Sequence, residues 1–150
     1  MKGFFIMRRK LFFIEVLAKI IEYAIKANED RGVVFLTLGI YSTGEENWRQ
    51  EFCDYIHTLS YERLLKALAV AHIGMLTADE YFENYIGCTH QEILSDAENT
   101  VVYAGYDSKE KLEQYFINNW HIHYHLMDGR DRLELLSGGA ELSYDYHYGY

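Results

Sequence analysis

Between Leu11 and Ala27 the charged residues Glu15, Lys19, Glu22 and Lys26 recur at intervals of four, three and four. That spacing lays them along one narrow stripe of an α-helix and leaves Leu11, Phe12, Ile14, Val16, Leu17, Ile20, Ile21 and Ile25 on a wide apolar arc. An arc this broad suits either the central core helix or the contact of a homo-oligomer formed through the first helix. Asn28 to Gly32 then reads as the end of that helix. The following run, "GVVFLTLGIY", is short, rich in β-branched residues and bounded by glycine, which predicts a strand near 33–41.

Helix starts are marked along the next stretch by boxes in which a Ser, Thr or Asp is followed three residues later by Glu. The first side chain accepts from an orphan amide of the new helix, and the glutamate reaches back. Thr43 with Glu46, Thr77 with Glu80, Thr89 with Glu92 and Asp107 with Glu110 have this form, and Ser60 opens a further helix carrying Leu64, Leu65, Leu68, Ala71 and Ile73. The first box leads into Trp48, Phe52, Tyr55, Ile56 and Leu59, and the last into Leu112, Tyr115 and Phe116. "TVVYAGY" predicts a second strand near 100–106.

From Trp120 onward the apolar period changes from 3.6 to 2. Asp128-Gly129 and Gly138-Gly139 supply the positive backbone angles that tight hairpins require. Turns at both sites sort Trp120, Ile122, Tyr124, Leu126, Leu133, Leu135, Leu142 and Tyr144 onto one face of a three-stranded antiparallel meander, about 120–148. His121, His123, His125, Arg130, Arg132, Glu134 and Asp145 fall on the other, with Arg132 paired across strands to Asp145. The expected fold class is α+β: one domain spanning 1–150, helix-rich over its N-terminal two-thirds, with sheet at the C-terminus.

The histidine row raises the question of a metal. His123, His125 and Glu134 are the residues that could chelate one ion, but Arg132 opposite His125 would add positive charge where a cation must sit. The expectation is a solvated polar face, with no cofactor and no metal; a small metal-dependent enzyme using these three residues is the alternative. Cys88-Thr89-His90 offers a thiol beside an imidazole, yet Thr89 is better used as a helix cap. The chain contains no P-loop, dinucleotide fingerprint, H-E-x-x-H or G-x-S-x-G motif. Cys53 and Cys88 form no C-x-x-C pair, and Glu15, Lys19, Glu22 and Lys26 interrupt the N-terminal apolar runs before they reach membrane length. The reading is cytoplasmic and soluble, with no membrane partner.

Charge changes the picture most. The chain carries a formal net charge of −9, and its signs are segregated. Residues 1–26 hold Lys2, Arg8, Arg9, Lys10, Lys19 and Lys26 against Glu15 and Glu22. Residues 67–108 hold Asp79, Glu80, Glu83, Glu92, Asp96, Glu98 and Asp107 with no Lys or Arg. Such a stretch attracts a basic protein and repels nucleic acid. Asp79, Glu80, Glu83, Glu92, Asp96 and Glu98 are therefore the candidate partner-binding residues.

In composition, this small, acidic, tyrosine-rich and motif-free chain resembles the inhibitors that phages and mobile elements direct against nucleic-acid-binding host defences, of the anti-CRISPR and antirestriction type. The resemblance rests on charge and size, and implies a non-enzymatic inhibitor or adaptor that engages a basic nucleic-acid-binding protein. A housekeeping oligomeric domain is a further alternative.

Overall fold

The stripe of Glu15, Lys19 and Glu22 faces solvent, while Phe13, Ile14, Val16, Leu17, Ile20, Ile21, Ala24 and Ala27 are buried, as the helical spacing requires. The computed structural model describes residues 2–36 and 47–135, with side chains from Phe12 to Glu29 and from Asn47 to Leu135. Leu17 and Ile21 pack within the chain's own core cluster. Of the two Glu-to-Lys steps along the stripe, Glu22 and Lys26 form an ion pair at 3.1 Å.

This first helix, α1, runs Lys2–Leu36. It passes through Asn28 to Gly32 without ending and takes in Val33 to Leu36, so the strand expected near 33–41 is not formed over its described part; positions 37–41 lie outside the described residues. Extending a helix that already exists adds a hydrogen bond with no new nucleation cost. The preference of valine for strands, worth tenths of a kcal/mol, is small beside that, and the glycine costs only about 1 kcal/mol.

Among the described residues six more helices follow: α2 (Trp48–Thr58), α3 (Tyr61–Met75), α4 (Ala78–Tyr85), α5 (His90–Tyr103), α6 (Lys109–Ile117) and α7 (His123–Arg132), with a 3-10 turn at Trp120–Ile122 before α7. Ser60 caps α3 by accepting from the Arg63 amide at 3.3 Å. Asn47 caps α2, accepting from the Gln50 amide at 3.1 Å, whereas Thr43 and Glu46 lie outside the described residues. α6 is capped one residue later than its box implies, by Ser108 accepting from Lys111, while Asp107 bonds the Lys111 ammonium instead.

α3 is the hub. Leu64, Ala67 to Ala71, Ile73 and Gly74 are buried, and α1, α5, α6 and α7 all pack against it. α2 lies along α1 and also meets α6.

The described residues contain helices and no strand, so the expected α+β class is corrected to all-α over that range. "TVVYAGY" is the last turn and cap of α5, not a strand near 100–106. Gly105, at φ 111°, lets the amides of Gly105 and Tyr106 donate back to the carbonyls of Val102 and Val101, at 2.9 and 3.2 Å. This is the reverse-turn closure that a left-handed glycine makes possible.

The meander over about 120–148 is likewise overturned as far as Leu135, and its third strand falls outside the described residues. Ile122, Leu126, Gly129 and Leu133 are buried at intervals of four, three and four, which is a helical face. Tyr124, expected on the apolar side, is 64% exposed, and His123, expected in solvent, is 6% exposed. Gly129 turns no hairpin. A Cβ built on it would lie 1.9 Å from the Val70 carbonyl oxygen, and one on Gly74 would lie 1.9 Å from the His125 carbonyl oxygen. The two glycines let the backbones of α3 and α7 touch. Arg132 then reaches past the end of α3, and its Nη1 donates to the carbonyls of Ile73 and Leu76 at 2.6 and 2.9 Å. The expected cross-strand role with Asp145 is replaced by a helix C-cap, Asp145 being outside the described residues.

Candidate functional site

The predicted acidic side chains divide by what they already bind. The boxes at Thr77 and Thr89 form as expected. The Thr77 amide donates to Glu80 Oε1 at 2.9 Å, and the Thr89 amide to Glu92 Oε1 at 2.9 Å. Thr77 and Thr89 in turn accept from the amides of Glu80 and Glu92. Glu80 and Glu92 therefore spend one oxygen each on starting α4 and α5, and both remain exposed.

Asp96 accepts from the Tyr85 hydroxyl at 2.7 Å, which ties the end of α4 to the middle of α5. Burial, then the Asp96 bond and charge, push the Tyr85 phenol well above its ordinary value. Glu98 pairs with Lys66 of α3 at 3.5 Å. Asp107 meets Lys111 at 3.1 Å, and that bond and charge hold its carboxyl below the usual range.

Asp79 and Glu83 differ. Both are exposed, and among the described residues neither has a hydrogen-bond or ion-pair partner. They stand on α4, which buries none of its residues. Its inward side is aromatic: Tyr81 and Tyr85 approach each other with ring centroids 5.6 Å apart, and the Arg132 guanidinium sits 5.1 Å from the Tyr81 centroid. Its outward side carries Asp79, Phe82, Glu83 and, at the cap, Ile86. The spacing of three, one and three keeps all four within roughly a quarter to a third of the helix circumference. Phe82 is 65% exposed and Ile86 69%.

The sequence reading missed this pair of apolar side chains. The signal was present, because the Thr77 box fixes the register of α4 and the register divides its aromatics between two faces. Thr89, Gln91, Glu92, Ser95, Asp96 and Asn99 line a polar depression along α5.

The histidine set does not converge. His123 is buried, its Nδ1 3.4 Å from the Trp120 carbonyl and its ring against Tyr124. His125 lies two residues on, turned about 200° around the helix. Glu134 stands past the end of α7 at φ 57°. Among the described residues no group of three His, Cys, Asp or Glu side chains is placed to hold a metal. Cys88 is exposed and precedes the Thr89 cap. Among the described residues no helix is long and apolar enough to cross a membrane.

No protein-family model matches the chain, and comparison with curated proteins and with solved structures returns no match.

Proposed function

We propose that this chain is a non-enzymatic binding protein of the cytoplasm, which uses the carboxylates of α4 and α5 to dock onto a Lys/Arg-rich protein in place of the polyanion that partner otherwise holds. An inhibitor or adaptor acting on a basic nucleic-acid-binding protein is the form of activity this supports. The observation that carries it is the state of Asp79 and Glu83, exposed and without a cationic partner among the described residues. Glu80, Glu92 and Asp96 make structural hydrogen bonds on the same two helices.

The two capped helices fix the backbone positions from which these carboxylates project, so the acidic groups keep a set spacing. Asp79 and Glu83 have no cationic partner among the described residues, so their fields add, speeding encounter with a basic surface and opposing nucleic acid.

The test is fluorescence anisotropy of a labelled Lys/Arg-rich peptide, with duplex DNA as competitor for the peptide. Binding is expected to weaken steeply as salt is raised several-fold, because exposed pairs are screened over about 10 Å at 0.1 M salt. The double reversal of Asp79→Lys and Glu83→Lys is expected to abolish binding while leaving helical circular dichroism intact, since both side chains are exposed. Binding indifferent to both salt and reversal would overturn the reading.

A further inference from the structure

Resting on that reading, we infer that the outward face of α4 is a two-point apolar anchor for an amphipathic basic helix, with Phe82 and Ile86 seating its apolar side chains and Asp79 and Glu83 engaging its flanking Lys or Arg residues. Charge alone would select any cationic surface. The α4 face is more specific, because its apolar and acidic groups occupy fixed helical positions.

Phe82 and Ile86 are one helical turn apart, as are Asp79 and Glu83, and both pairs share one arc of the same helix. Tyr81 and Tyr85 hold the opposite side to the body of the molecule, through Arg132 and Asp96. This fixes the outward direction of the anchor. Large apolar side chains at 65% and 69% exposure gain by leaving water, and the carboxylates beside them determine what can cover them.

A second copy of this face is disfavoured as the occupant. Laying α4 against another α4 would bring Asp79 and Glu83 onto their counterparts, and residues 67–108 contain no Lys or Arg to offset the repulsion. Nucleic acid and anionic lipid are opposed by the same charge. A helix with apolar side chains along one stripe and cations along its edges satisfies both halves of the face, in the mode by which amphipathic helices are read at turn spacing. α4 has 8 residues. At about 1.5 Å per residue it offers roughly two turns of contact, so the complex is small and exchanges rapidly.

Two labelled Lys/Leu peptides of identical composition provide the probe, one patterned as an amphipathic helix and the other scrambled to destroy the apolar stripe. The patterned peptide is expected to bind at least about tenfold tighter, a factor worth ~1.4 kcal/mol. In the F82A/I86A double variant that advantage is expected to vanish, with both peptides falling to the scrambled peptide's affinity and an unchanged salt dependence. Circular dichroism checks that the variant remains folded.

Equal binding of the two peptides, still salt-sensitive and still lost in the Asp79→Lys, Glu83→Lys protein, would overturn the anchor while leaving the carboxylate docking reading in place. Failure of both peptides to bind at low salt would overturn both. A concentration-dependent dimer in sedimentation velocity, lost in F82A/I86A, would identify a second copy as the occupant and overturn the inference.

Discussion

Gly74 and Gly129 show how one atom can decide the arrangement of two helices. Intrinsic propensity favours alanine over glycine inside a helix by about 1 kcal/mol, so on that ground alone Gly74→Ala or Gly129→Ala would stabilise the chain. The observed approach says the reverse, because a Cβ at either position would lie 1.9 Å from a backbone carbonyl oxygen of the facing helix. Backbone cannot rotate aside as a side chain can, so α3 and α7 would have to separate and lose packing around Val70 and Leu126. Overpacking of this kind costs typically 1–3 kcal/mol, about enough to outweigh the propensity gain. Urea denaturation should show both variants destabilised; a gain near 1 kcal/mol in either would show that the two helices do not cross this closely. Arg132 reports the same contact from the other side. It supplies donors to the carbonyls of Ile73 and Leu76 left open at the end of α3, a role that no cross-strand pair would require.

At the scale of the element, Gly105 marks where α5 stops. Its φ of 111° is strained for any residue with a Cβ, although nothing lies within 4 Å of the space that Cβ would occupy. Gly105→Ala should therefore cost about 1–2 kcal/mol through backbone strain alone, read as a lower urea midpoint with faster hydrogen exchange at the Tyr106 amide. An unchanged midpoint would remove the left-handed cap from the account. The same glycine shows why helices were legible in this sequence and their extents were not. Capping boxes at Thr77 and Thr89, the Ser60 cap and the stripe of α1 are local devices, readable from neighbours three or four residues apart. "TVVYAGY" and "HIHYHLMDGRDRLELL" were ambiguous because β-branched residues and short alternations fit a strand as well as a helix end. What separates the two is tertiary: a strand needs a partner for its backbone, whereas a helix satisfies its own. The glycine of Asp128-Gly129 looks like a turn in the sequence because its actual use, contact with Val70 some sixty residues away, leaves no local mark. The acidic candidates were legible by type and by their i to i+4 spacing. Which of them stay unpartnered depends on Tyr85 and Lys66, and only the packed structure supplies those.

For the whole molecule, tyrosine links stability to pH. The phenols of Tyr55, Tyr81, Tyr85 and Tyr115 are all pushed above their ordinary value, chiefly by burial. Tyr23 adds to the effect at Tyr55, Tyr106 at Tyr115 and Asp96 at Tyr85, while Arg132 pulls Tyr81 partly back. These rings sit at packing contacts: Tyr55 meets Tyr23 of α1 at a tilt, centroids 5.2 Å apart, and Tyr115 meets Tyr106 edge-on at 5.4 Å. In the unfolded chain a tyrosine loses its proton near pH 10, roughly its model value, whereas the folded chain retains these protons to higher pH. Above that point the unfolded state binds fewer protons than the native one, so stability falls as pH rises; below it this contribution is fully present. Tyrosinate absorbance and helical circular dichroism should therefore change together on alkaline titration of the buried set. In Tyr85→Phe one of the coupled protons is gone, and stability measured by urea at successive pH values above about 10 should decline less steeply than in the parent chain. Stability that stayed flat across that range would show that these phenols are as solvated as in the unfolded chain. Because Tyr81 and Tyr85 hold α4 to the body, the same titration should release the helix that carries Asp79, Phe82, Glu83 and Ile86. Binding of an Arg/Leu peptide, whose guanidinium groups stay charged at alkaline pH where Lys would not, should then fail, which separates loss of the scaffold from loss of charge on either partner.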